Sequence, residues 1–152
     1  MNANGKIPSR LAAVTAAALI TLAPAVVHAD TYLSAGYTGM HDGGRGRALM
    51  VDWVPAGSPW DYTIGNIGGV GQDDRDTSFV AASYMIVDQH LFASFGPALI
   101  TKQTETLTSA YQFMTTFGYH TGDWALGVRH LSNGGLKGAN IGENLVFLSY
   151  HF

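Results

Sequence analysis

The sequence predicts an eight-stranded antiparallel transmembrane β-barrel of the bacterial outer membrane, on three observations. The chain closes on an alternating apolar strand that stops at Phe152, it begins with an export-type leader, and it is poor in charge without a second helix-length apolar run. In the closing run from Asn144, the side chains of Val146, Leu148, Tyr150 and Phe152 fall on every second position, so a strand presents them on one face. A lipid-facing strand must pair all its backbone groups with neighbours in a closed sheet, because hydrocarbon offers none.

The leader carries Lys6 and Arg10 ahead of an apolar stretch from Leu11 to Val27, and ends in Val27-His28-Ala29, a small-x-small cleavage site. A membrane anchor needs roughly 20 apolar residues, and this stretch approaches that only by including Thr15, Thr21 and Pro24. Residues 1–29 are therefore expected to be a cleaved secretory signal, and residues 30–152 one barrel domain. Charged residues make up 12% of the chain, against about a quarter in soluble domains. The net charge of -3 gives no sign of a nucleic-acid partner. Without cysteine, neither a disulfide framework nor a thiolate metal site can form. No internal repeat or low-complexity linker divides the chain.

The strands are expected, in order, at Tyr32 to His41, Arg47 to Val54, Trp60 to Val70, Ser78 to Ile86, Leu91 to Ile100, Ser109 to Tyr119, Trp124 to Leu131 and Glu143 to Phe152. Each is near the ten-residue length of a tilted barrel strand. In the second, Leu49, Val51 and Trp53 alternate with Ala48, Met50 and Asp52. In the sixth, Tyr111, Phe113, Phe117 and Tyr119 oppose Gln112, Thr116 and Gly118. In the seventh, Trp124, Leu126 and Val128 oppose Asp123, Gly127 and Arg129. The third and fifth carry no clear phase. Short connections at Pro55 to Pro59, Val87 to Gln89 and His120 to Asp123 alternate with polar, mostly longer ones at Asp42 to Gly46, Gly71 to Thr77, Thr101 to Thr108 and Ser132 to Gly142. Short periplasmic turns and longer outer loops give this pattern, which places the last loop at the cell exterior.

Chemistry concentrates in that loop, in Arg129-His130-Leu131-Ser132-Asn133-Gly134-Gly135-Leu136-Lys137 followed by Asn140-Ile141-Gly142-Glu143-Asn144. Residues two apart on a strand point the same way, roughly 6.5 Å apart, so His130 can reach Ser132. An imidazole beside a hydroxyl is the minimum arrangement for a serine nucleophile. The seventh strand's apolar face continues to His130 and Ser132, aiming both outward near the membrane surface, where an attack on a lipid ester is possible. The alternative is that the strand has simply reached headgroup level, where polar side chains are solvated.

The stretch His-Leu-Ser-Asn-Gly-Gly-Leu-Lys, then Asn-x-Gly before a last strand ending in Phe, resembles the PagL family of outer-membrane lipid A 3-O-deacylases. The resemblance implies hydrolysis of the ester-linked 3-hydroxyacyl chain of lipid A by a Ser-His-Glu triad on the barrel's outer surface. Carried over, Ser132 is the nucleophile, His130 the base, and Asn133 matches an asparagine that supports activity, through the oxyanion. The acid departs from the pattern: the family glutamate position holds Asn144, and Glu143 lies one residue early. A bulge could rotate Glu143 outward, or Asn144 could orient the histidine. Glu143 is favoured on chemical grounds, because a carboxylate stabilises the imidazolium.

The expected partners are lipid A or lipopolysaccharide as substrate and the surrounding outer-membrane lipids. No cofactor and no metal are implied, and the oligomeric state, a homodimer included, is left open. Asp73, Asp74 and Asp76 read as a solvated loop, Arg129 as part of a polar lumen network with Asp52, and Trp53, Trp60 and Trp124 as interfacial girdle residues. The competing reading is a non-catalytic barrel with an adhesive or envelope-stabilising role.

Overall fold

The computed structural model describes residues 29–39, 45–69, 76–136 and 141–152. The expected signal segment lies outside them, apart from Ala29, as do Asp73, Asp74, Lys137 and Asn140. Eight strands form a closed antiparallel barrel in sequence order: β1 Ala29–Gly39, β2 Arg45–Pro55, β3 Trp60–Gly69, β4 Thr77–Asp88, β5 Leu91–Ile100, β6 Tyr111–Thr121, β7 Trp124–Ser132 and β8 Glu143–His151. Closure is made by β1 against β8, from Tyr32↔His151 to Gly39↔Asn144. No sheet edge is left, so each strand finds its backbone partners on both sides.

Alternation sorts side chains between lipid and lumen. In β7 the exposed set is Trp124, Leu126 and Val128, and the buried set is Ala125, Gly127, Arg129 and Leu131. β3 and β5 acquire a phase that their sequences left open. Asp61, Thr63, Gly65 and Ile67 face inward in β3, and Ser94, Gly96, Ala98 and Ile100 in β5. Three of the β5 residues are small because the space is already taken. A Cβ on Gly96 would lie 2.0 Å from the Ala82 carbonyl oxygen.

The core is therefore the lumen. Met50, Ile67, Phe79, Met114, Leu131, Leu145 and Phe147 pack there around a polar network centred on Arg129. Its guanidinium donates to Asp52 Oδ1 at 2.9 Å and to Thr116 Oγ1 at 3.0 Å, and its carbon lies 4.9 Å from the Phe147 ring centroid. Asp52 also accepts from Ser34 at 2.9 Å and Thr63 at 2.7 Å. The ion pair joins β2 to β7 across the barrel, as the charge pattern of the two strands implied.

On the outside, aromatic pairs cluster at the end that carries the short turns. Trp53 meets Tyr62 at 5.4 Å, Trp60 meets Tyr84 at 5.8 Å and Trp124 meets Tyr150 at 4.9 Å, which forms an interfacial belt. The opposite end departs from expectation in one respect. The connection between β5 and β6 was read as a polar outer loop, yet Thr106 and Leu107 are buried, and Leu107 joins the lumen core. Leu107 is the apolar side chain of this segment that enters the barrel mouth.

Removing one member of a buried ion pair strands the other in a low dielectric, at a cost of about 3–5 kcal/mol. Arg129→Met is expected to lower the urea midpoint of the vesicle-inserted barrel accordingly, and Arg129→Met combined with Asp52→Asn to recover part of the loss. Urea titration followed by the mobility shift of unboiled protein on gels measures both.

Candidate active site on the outer wall

β7 and β8 meet without irregularity, pairing residue for residue from Trp124↔Tyr150 to His130↔Asn144 and Leu131↔Glu143. Residues directly opposite in an antiparallel pair share a face. His130 and Asn144 consequently lie side by side on the outer wall, and Leu131 and Glu143 side by side in the lumen. His130 Nδ1 and Asn144 Oδ1 are 2.9 Å apart. An amide oxygen can only accept, so Nδ1 is the donor in this contact, which in a neutral ring leaves the lone pair on Nε2. That is the tautomer a general base needs.

Ser132 is the next outward residue of β7 after His130, and both are half-buried. Phe113 stands across from Ser132 and Thr115 across from His130, while Phe95 stacks on Phe113 at 5.6 Å between ring centroids. Among the described residues no hydrogen bond joins Ser132 to His130. The two lie two residues apart on one face of β7.

Glu143 is placed differently from its chemically favoured role. The bulge that would turn it outward is not formed, and the carboxylate is 3% exposed inside the barrel mouth, where its Oε1 accepts a hydrogen bond from Thr106 Oγ1. Asn133 also faces inward and is buried. Its Oδ1 accepts from the Gly135 N–H at 2.8 Å, and its Nδ2 donates to Thr108 Oγ1 at 3.3 Å. Its amide thus shapes the turn after Ser132, where Gly134 and Gly135 take φ of 62° and 79°, rather than facing the outer surface.

Sequence reasoning missed the part played by Gly142. This residue has φ of 75°, a region that L side chains avoid, and it lies beneath the imidazole. A Cβ here would sit 2.6 Å from His130 Cε1 and 2.7 Å from the Leu131 carbonyl oxygen. The signal was in the Asn-x-Gly motif, but only the register shows what the glycine accommodates.

On the outer wall toward the short-turn end, a shallow groove of about 620 Å³ is lined by Asp88, Leu91, Tyr119 and Leu126 and rises to Val128 and Val146. Val128 and Val146 follow His130 and Asn144 on the same face. A second cavity, of about 240 Å³, occupies the lumen at the short-turn end between Tyr32, Asp61, His120 and Arg129. None of the outer-wall residues lines it. Among the described residues no three histidines or acidic groups come together as a metal site.

The family model for lipid A 3-O-deacylase (PagL) matches residues 27–152. The chain belongs to the PagL family of lipid A 3-O-deacylases. A solved structure, the crystal structure of the outer membrane enzyme PagL, is 17% identical and superposes with a TM-score of 0.49 over 80% of this chain and 98% of that one. No curated protein sequence matches. Membership makes this PagL-family chain a lipid A deacylase, a hydrolase, carried on a closed eight-stranded barrel.

Displacing a catalytic group by about 1 Å can cost on the order of 100-fold in rate. Gly142→Ala is expected to displace His130, and if the imidazole takes part in the reaction, to reduce lipid A deacylation by about that factor in a barrel that still shows the folded gel mobility. Mass spectrometry of lipid A over time provides the rate.

Proposed function

We propose that this PagL-family protein removes the 3-O-linked acyl chain of lipid A by covalent serine catalysis, with Ser132 as nucleophile, His130 as base and Asn144 as the residue that orients the base. The observation that carries this is the His130 Nδ1 to Asn144 Oδ1 contact of 2.9 Å on the membrane-facing wall, in line with Ser132. Ser132 Oγ attacks the ester carbonyl as its proton passes to His130 Nε2. Collapse of the tetrahedral adduct expels the sugar oxygen, which takes that proton from the imidazolium. Water, deprotonated by His130, then cleaves the acyl-enzyme and releases the 3-hydroxy fatty acid.

The rest of the wall supports each step. The exposed apolar side chains beneath the site, Val128 and Val146, suit the acyl chain, so the ester of a lipid standing in the outer leaflet meets Ser132 at headgroup level. In the turn that Asn133 holds, the Gly135 and Leu136 N–H groups are bonded to Asn133 itself, so the Gly134 N–H, just past the nucleophile, is the backbone group we assign to the oxyanion. Asn133 acts here through that turn. Asn144 fixes the tautomer as a carboxylate does, but its neutral amide stabilises the imidazolium less. Export by a signal cleaved after Ala29 belongs to this reading, since the substrate lies outside the cell.

A positioned base contributes about 10²–10⁴-fold. Ser132→Ala and His130→Ala are each expected to reduce release of the 3-hydroxyacyl chain by at least about 1,000-fold, and Asn144→Ala by about 100-fold, while Asn144→Asp matches or exceeds wild type because it restores a carboxylate at the same reach. Mass spectrometry of lipid A incubated with refolded protein and chelator measures all four. Substantial turnover by Ser132→Ala removes the nucleophile assignment, and unchanged turnover by Asn144→Ala removes the orienting role.

A further inference from the structure

Beneath the site, polar contacts are made by a loop that does not line the groove. The β5–β6 connection, residues 101–110, is pinned at both ends. Ile100 N–H donates to the Ala110 carbonyl at 2.9 Å, Thr101 N–H to the Ser78 carbonyl at 2.8 Å, and Thr77 Oγ1 to the Lys102 carbonyl at 2.8 Å. Its middle is a compact turn in which the Thr104 N–H donates to the Leu107 carbonyl at 3.0 Å, and the Leu107 N–H to Thr104 Oγ1 at 3.0 Å. Leu107, fully buried in the lumen core, anchors this turn.

The residues flanking Leu107 grip the two strand ends that carry the site. On one side, the Thr106 carbonyl accepts the Gly142 N–H at 3.1 Å, and Thr106 Oγ1 donates to Glu143 Oε1. On the other, Thr108 Oγ1 receives the Asn133 amide at 3.3 Å. Gly142 is the residue on which the His130 ring rests, and Asn133 sets the turn after Ser132. A carboxylate accepting from a hydroxyl in a buried setting makes a stronger bond than a neutral acceptor, so the Thr106–Glu143 contact is the firmest of the three links.

We propose that Glu143 is a positioning residue of the outer-wall site: by holding Thr106, it ties the inward-folded β5–β6 loop to the start of β8 and keeps Gly142 seated under His130. Glu143 then acts from inside the barrel, through backbone, on chemistry carried out on the outside. The effect on turnover rests on the serine mechanism proposed above, whereas the tether itself does not.

Two readouts on the full refolded protein keep these apart. The first is hydrogen exchange at the Gly142 amide, which needs no activity. Glu143→Leu and Thr106→Val are expected to speed exchange there by about 10-fold or more, and Thr106→Ser to leave it near wild type, because only the hydroxyl is needed. The second is lipid A turnover. Glu143→Leu and Thr106→Val are expected to lower kcat by about 10–100-fold with KM within about two-fold, Glu143→Gln and Thr106→Ser to stay within about three-fold, and the Glu143→Leu/Thr106→Val double variant to be no worse than either single one. Unchanged Gly142 exchange in both Glu143→Leu and Thr106→Val overturns the tether. A loss in Glu143→Gln as severe as in Glu143→Leu, with a shifted pH profile, overturns the positioning role in favour of an acid that touches the histidine. Fully additive losses in the double variant also overturn it. If wild type itself leaves lipid A intact, the mechanism fails while the exchange result still decides the tether.

Discussion

The unbroken pairing of β7 with β8 is the constraint on which the site depends. A transmembrane barrel must satisfy every backbone donor and acceptor within the sheet, and between these two strands it does so in one register from Trp124↔Tyr150 to Leu131↔Glu143. Once that register is set, side-chain period two decides everything at the outer end. His130 meets Asn144 and not Glu143, and Ser132 follows His130 on the lipid-facing side. A slip of one residue would exchange the two faces and bury the imidazole in the lumen.

The same division assigns work to each side of the wall. Inward residues hold the barrel: Arg129 and Asp52 cross-link opposite strands, Leu107 closes the mouth, and Asn133 and Glu143 fix the turn and the loop. Outward residues are left for the lipid. Neighbours in sequence therefore have unrelated roles, and the polar residues of the motif around Ser132 are shared between structure and chemistry in strict alternation.

Much of this was legible in the sequence wherever one face was bulky or charged and the other was not. β2, β6, β7 and β8 declared their phase through residues such as Trp53, Phe117, Leu126 and Val146, and the Arg129–Asp52 pairing followed from it. β5 did not, because its inward side holds Ser94, Gly96 and Ala98, small residues whose burial leaves no apolar contrast. β3 was obscured by Asn66 facing outward, where it bonds Ser78, and Ile67 facing inward. Two features were not legible. A threonine-rich segment gave no warning that Leu107 would draw it into the lumen. The preference for a carboxylate drew attention to Glu143, although strand alternation already put Asn144 on the histidine's face. In a barrel, backbone satisfaction outranks side-chain chemistry, and a bulge would have left unpaired groups beside the membrane.

In the mechanism proposed above, an Asn in place of an acid at the third position makes the histidine's tautomer the quantity that matters most, since the amide would act chiefly by choosing which nitrogen bears the proton. The central claim is that Asn144 makes this choice for His130. ¹⁵N NMR of histidine-labelled, refolded protein, with His130 assigned by substitution, tests it directly at a pH where the ring is neutral. The Nδ1-protonated form should dominate and give way to a mixture in Asn144→Ala, with no change in Glu143→Gln. A dominant Nε2-protonated ring in wild type, or a tautomer that responds to Glu143→Gln and not to Asn144→Ala, would contradict the account.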